Sequence, residues 1–114
     1  MSSETTYTID GKVHYLERIA LLPNSTLTVR LQDVSLADAP AKDLAVQVTP
    51  NANSAGLNFS LTYIQADIVS GHTYTISASI TQEDRLIFTT TQHHAVELGV
   101  NYLKGQEVLV NFVG

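Results

Sequence analysis

Apolar and polar residues alternate with a period of two along most of this chain. From Thr26 to Val34, Leu27, Val29 and Leu31 alternate with Thr28, Arg30 and Gln32. That is the pattern of a strand with one face in a core and the other in water. Between Thr73 and Ile80, Tyr74, Ile76, Ala78 and Ile80 share one face, and Thr75, Ser77 and Ser79 the other. Leu44, Val46 and Val48 repeat the pattern, as do Leu57, Phe59, Leu61 and Tyr63. Arg85 to Thr91 and Glu107 to Val113 are further strands, and Tyr7 to Tyr15 is a first one, with Gly11 as a bulge or bend. Turn-forming clusters separate them: Pro23-Asn24-Ser25, Ala39-Pro40, Pro50-Asn51-Ala52-Asn53, Ser70-Gly71, Glu83-Asp84 and Lys104-Gly105. No amphipathic pattern of helical period persists. The expectation is an all-β chain: an antiparallel β-sandwich of about seven strands, immunoglobulin-like or transthyretin-like with Greek-key connections, and minimal helix.

The stretch Ile68-Val69-Ser70-Gly71-His72-Thr73-Tyr74 adds a finer expectation. An apolar residue, a glycine and a tyrosine at this spacing, entering a strand, match a tyrosine corner, in which a buried ring directs its hydroxyl to nearby backbone. The alternative is an ordinary inward tyrosine at a strand start. A bonded, shielded Tyr74 hydroxyl distinguishes the corner from that alternative.

Length limits the chain to one hydrophobic core: 114 residues suffice for a single domain. Residues 1–6 are polar and read as a flexible N-terminal tether, and residues 7–114 as the single sandwich domain. A net charge of −5, with Lys12, Arg18, Arg30, Lys42, Arg85 and Lys104 scattered singly, provides no face for nucleic acid. Cysteine is absent, which excludes disulfides, thiol catalysis and cysteine-based zinc sites. No apolar run approaches the ~20 residues of a membrane span, and the polar start is not a signal peptide.

Candidate chemistry is sparse. His93 and His94 are adjacent, so in an extended chain they face opposite ways and do not share a metal. His14 and His72 lie far away in sequence. Asp33, Asp38 and Asp43 gather around Pro40, and Glu83 and Asp84 sit together, where acids ordinarily bond turn backbone. There is no nucleophile elbow, no phosphate loop and no calcium-loop spacing. These readings assign no catalytic, cofactor-binding or metal-ligating residues, and the chain reads as a non-enzyme without a cofactor.

Two segments carry a resemblance. Glu17-Arg18-Ile19-Ala20-Leu21, together with Arg30-Leu31-Gln32-Asp33-Val34-Ser35-Leu36-Ala37-Asp38-Ala39-Pro40-Ala41, resembles the YbaY/YscW-like family of small bacterial envelope lipoproteins. Phe59-Ser60-Leu61-Thr62-Tyr63 and Tyr74-Thr75-Ile76-Ser77-Ala78-Ser79-Ile80 resemble its later strands less specifically. The resemblance implies a periplasmic protein, anchored to the outer membrane by lipid on an N-terminal cysteine. No such cysteine is present here, so it further implies that Met1 replaces the cysteine or that a signal and cysteine lie upstream. One branch of the family, the YscW-type pilotins, helps a secretin ring reach the outer membrane. The implied partner is therefore an outer-membrane or secretion-system protein, and the implied role an interaction or structural module, pilotin-like in its sharpest form. An exposed strand edge, or the loops from Leu36 to Asp43 and Gln92 to Asn101, are the expected working surfaces. The alternative is a small-ligand-binding or hydrolytic domain, in which His93 or His94 meets a carboxylate such as Glu97 in a pocket.

Overall fold

The computed structural model describes residues 5–17, 20–35, 41–90, 94–98 and 102–113. The Ala39-Pro40 turn, Asp38, His93 and the first four residues of the expected tether lie outside the described residues.

Two sheets face one another. The first has the order β4 (Asn58–Ile64), β1 (Thr6–His14), β8 (Tyr102–Leu109). The second runs β3 (Lys42–Thr49), β2 (Ser25–Asp33), β5 (Tyr74–Gln82), β6 (Arg85–Thr89), β9 (Asn111–Phe112). A short β7 (His94–Val96) pairs with the other half of β5. The seven longest strands match the expected number; β7 and β9 are additional short segments. Among the described residues, helix is confined to α1 (Ala52–Ala55) and a single 3-10 turn at Gln65–Asp67. Pairing is antiparallel except between β1 and β8, which run parallel.

The alternation explains the core. Leu27, Val29 and Leu31 from β2 and Ile76, Ala78 and Ile80 from β5 are buried against Ile9, Val13, Phe59, Leu61, Tyr63 and Val108 of the opposite sheet. Each aliphatic side chain so removed from water contributes about 1.5–3 kcal/mol. Their polar neighbours line the outer face, where Arg30 and Gln32 both donate to the Asp43 carboxylate at 2.7 and 2.9 Å. Asp43 is thus a cross-strand partner rather than a turn residue.

Gly11 is not itself the bulge. Between Ile9↔Leu103 and Gly11↔Gln106 the register gains its extra residue on β8, at Lys104-Gly105, with Gly105 at φ 74°. Lys104-Gly105 accordingly lies within a strand instead of forming a turn. Gly11 is required for another reason: a Cβ there would lie 2.1 Å from the Gln106 carbonyl oxygen and 2.8 Å from the Phe59 ring.

β3 departs from the expected pattern. Leu44 is an extra residue opposite the Leu31–Gln32 step, so the register jumps from Ala45 to Asp43. Leu44 and Ala45 both pack on the core, and the phase of the remaining strand is inverted. Gln47 and Thr49 turn inward, while Val46 and Val48 face solvent at 45% and 58% exposure.

Candidate interaction surfaces

The ends and sides of the sandwich differ sharply in chemistry. At the end where β2 starts and β5 finishes, side chains that do not fit the alternation converge. Asn24 adopts φ 66°, and the Ser25 hydroxyl donates to the Leu22 carbonyl at 2.6 Å, which holds the incoming loop tightly against the sheet. The C-terminal strand changes sheets here: Val110 N–H donates to the His14 carbonyl at 2.9 Å, and β9 then pairs with β6. Phe112 consequently packs edge-on against Phe88 (5.6 Å between centroids), and the Tyr15 ring packs tilted against Phe88 as well (4.5 Å). The Glu17 carboxylate accepts from the Phe112 N–H at 3.3 Å.

These contacts shape a groove of about 300 Å³ with Leu21, Leu22, Ile80, Ile87, Phe88 and Phe112 in its walls. Leu16, Leu22, Leu86, Phe112 and Val113, which belong to the segments meeting at this end, are exposed by 45–74%. Among the described residues Val46, Val48 and Val69 are the other large apolar side chains exposed to a similar degree, so most of this exposure gathers at one end, as at a binding surface.

The opposite end is held together by polar bonds. The Tyr74 ring is buried, and its hydroxyl accepts from the Val69 N–H at 2.7 Å and lies 3.3 Å from the Val69 carbonyl oxygen. With Gly71 at φ 84°, this is the expected tyrosine corner. Asp33 bonds the Ser35 N–H at 3.0 Å, which is turn chemistry as anticipated, and it also reaches His72 Nδ1 at 2.5 Å. The bond to His72 chiefly, with help from Ser35, holds the Asp33 carboxyl below the ordinary 3.8, against the upward push of desolvation. The Thr73 N–H donates to the Ser35 hydroxyl, and the Val34 N–H to the Thr73 carbonyl, so the exit of β2 is clamped to the corner. His72 lies 39 residues from Asp33 in sequence, and only the β2–β5 pairing, Asp33 opposite Tyr74, makes the two neighbours.

A shallow cleft of about 400 Å³ lies beside this clamp, with His72 and Glu97 among its lining residues. His94 is not among them. Its Nε2 bonds the Gln106 carboxamide oxygen at 3.0 Å across the β7–β8 side, instead of a carboxylate. Among the described residues no group of three His, Asp or Glu side chains could hold a metal ion, and no helix is long and apolar enough to cross a membrane. Of the two loops expected as working surfaces, residues 36–40, 92–93 and 99–101 lie outside the described residues.

The groove was missed because its residues come from four separate places. A signal existed nonetheless: Leu21-Leu22 and Phe112-Val113 are consecutive apolar pairs that break the alternation.

Comparison with known proteins places this architecture. The family described as "Type III secretion system lipoprotein chaperone (YscW)" matches residues 4–106. An uncharacterized lipoprotein of Escherichia coli, YbaY, is 39% identical over 83 residues, 72% of this chain. The match spans 44% of that relative's length, less than half of it. The solved structure of an alternative pilotin from the type II secretion system of Vibrio cholerae superposes with a TM-score of 0.78 at 37% identity, over 95% of this chain and 99% of that one.

Proposed function

This chain belongs to the YscW family of type III secretion system lipoprotein chaperones, and on that premise we propose that it is a pilotin-like chaperone of a secretion-system component. The family is one of lipoprotein chaperones rather than of enzymes, and its lipoprotein and pilotin relatives support a periplasmic, outer-membrane-associated role for the full-length protein. In this reading the domain works as a non-enzymatic interaction module, and a lipid anchor preceding it holds it at the outer membrane. A single acyl-bearing cysteine attaches such a domain without any spanning segment, and the sandwich itself needs no lipid contact.

The observation that carries the reading is the groove between the loop after β1 and the β6–β9 edge. Its aromatic floor is already packed, because Phe88 is buried and touches the rings of both Tyr15 and Phe112, so ordering it on binding costs little entropy. The occupant assigned to it is an apolar segment of the outer-membrane ring component, shielded until the ring assembles. Arg85 and Gln82 at its rim supply polar contacts around an apolar centre.

The test is co-purification of the secretin from the cognate secretion system with wild-type protein, Leu22→Asp and Phe112→Asp. Both side chains are about half exposed, so the variants should fold, as near-ultraviolet circular dichroism would verify. The expected result is loss of at least about tenfold in recovered secretin for both variants. Equal recovery by wild type and variants removes the groove from the reading, and failure of the wild type to recover secretin removes the pilotin role.

A further inference from the structure

The two sheets are unequal in width, and the inequality leaves a lane along one side. The first sheet has three strands and the second is five strands across, ending in β3. β3 therefore projects over the outer edge of β4, and among the described residues no strand of the first sheet lies beside β4 beneath it. This is why, past the extra residue Leu44, its inward positions are polar or small: Ala45, Gln47 and Thr49.

In β4 the residues at 57, 59, 61, 63 and 65 bond toward β1, as Val13 N–H to the Leu57 carbonyl and Gln65 N–H to the Thr5 carbonyl show. Antiparallel alternation then turns the N–H and C=O groups of Asn58, Ser60, Thr62 and Ile64 outward, into the lane. The Gln47 side chain occupies the first of these positions. Its Oε1 accepts from the Ser60 N–H at 2.6 Å, and its Nε2 donates to the Asn58 carbonyl at 3.3 Å and to the Thr49 hydroxyl at 3.0 Å. The carbonyl before Phe59 and the N–H after it are the two groups that one residue of a parallel neighbouring strand would engage. A single carboxamide thus reproduces one residue of a missing strand. Further along, no strand among the described residues pairs with Thr62 or Ile64 on this side.

We infer that the β3–β4 side of the sandwich accepts an extended segment of a partner polypeptide as a fourth strand of the smaller sheet, and that Gln47 is the plug such a segment displaces. The site is distinct from the apolar groove and does not depend on the pilotin reading. The chemistry of the β4 edge indicates this occupant: the edge is already paired to an amide from outside its own sheet, and backbone bonding supplies the affinity in strand addition. Alternate side chains of the incoming strand face Ala45 and Thr49 above, which selects small or β-branched residues at those positions. The plug also explains how an edge of this kind is protected when unoccupied, since an open edge invites uncontrolled pairing.

The experiment uses one probe, an acetylated and amidated heptapeptide of alternating valine and threonine, and its analogue N-methylated on the residues whose amides would face β4. Binding is measured by calorimetry and by amide hydrogen exchange on wild type, Gln47→Ala and Gln47→Glu. The expected result is tighter binding to Gln47→Ala by about tenfold, because the competing carboxamide is gone. Gln47→Glu, which keeps the acceptor for Ser60 and loses the donor to Asn58, should fall between the two. Ser60, Thr62 and Ile64 amides should gain protection, and the N-methylated analogue should not bind. The inference is overturned by affinity indifferent to Gln47, by equal binding of the analogue, by protection falling on β8 or β9, by self-association of Gln47→Ala in place of peptide binding, or by no binding at all.

Discussion

β3 and β5 flank the same strand, β2, yet they bury opposite kinds of residue. β5 places Ile76 and Ile80 in the core at 1% exposure or less and turns Ser77 and Ser79 outward. β3 turns Val46 and Val48 to solvent and Gln47 inward. Both strands alternate, and both pair with β2 in antiparallel register. The difference lies in what each faces across the sandwich. β5 is central and meets the packed face of the opposite sheet. β3 is terminal and meets a strand edge, whose open backbone groups demand a hydrogen-bonding side chain rather than a methyl group. One inserted residue, Leu44, is enough to switch the phase so that this demand is met.

Substitutions can break the contrast, and the largest effect should come from the interior where sheets meet. Gly11→Ala forces a methyl group into the Gln106 carbonyl and the Phe59 ring, and should cost at least about 3 kcal/mol in urea unfolding, enough to abolish folding in a marginal background. Ile76→Ala should cost about 2–5 kcal/mol by the same measurement, as a buried β5 residue. Tyr74→Phe removes the hydroxyl that bonds Val69 at the corner, and a loss of about 1–2 kcal/mol is expected, with exchange of the Val69 amide accelerated. Val48→Thr on β3 should change stability by less than about 0.5 kcal/mol, although valine is the more hydrophobic residue. A Val48→Thr cost as large as that of Ile76→Ala would show that Val48 is buried in solution and that the phase inversion is absent.

The acid limb of stability sharpens the contrast between the two ends. The Asp33 carboxyl lies below its ordinary 3.8 in the folded protein, so its contribution is fully present above that value. It is lost as the pH falls below 3.8 and passes through the lowered folded-state value, because protons then bind the unfolded chain first. Unfolding midpoints followed from pH 6 downward to about pH 2 should therefore fall more steeply for wild type than for Asp33→Asn. Leu22→Asp, at the apolar end, should leave that difference intact. Equal acid limbs for wild type and Asp33→Asn would remove the clamp at the exit of β2 as a determinant of acid stability.

How much of this was legible depended on how far apart the cooperating residues lie. The tyrosine corner was readable because Val69, Gly71 and Tyr74 lie within six residues and one turn geometry satisfies all of them. The Asx turn at Asp33 was readable for the same reason. The Asp33–His72 bond joins positions 39 residues apart, and its two partners meet only through strand register. The groove brings together Leu22, Ile80, Phe88 and Phe112, no two of them in the same element. Gln47 gave no signal at all: a glutamine between two valines reads as a solvent-facing residue until the β4 edge is placed opposite it.

The pattern of residues by itself determined that this chain is a β-sandwich, where most of its strands run, that Tyr74 forms a tyrosine corner and that its ancestry lies among envelope lipoproteins. Period, turn chemistry and short motifs are local, and local physics suffices to read them. The tertiary structure alone decided which face of β3 points inward, that the first and eighth strands run parallel, and that one end carries an apolar groove while the other carries the Asp33–His72 clamp. Those outcomes depend on what each strand meets across the core, and a bulge of one residue reverses the answer without disturbing the alternation.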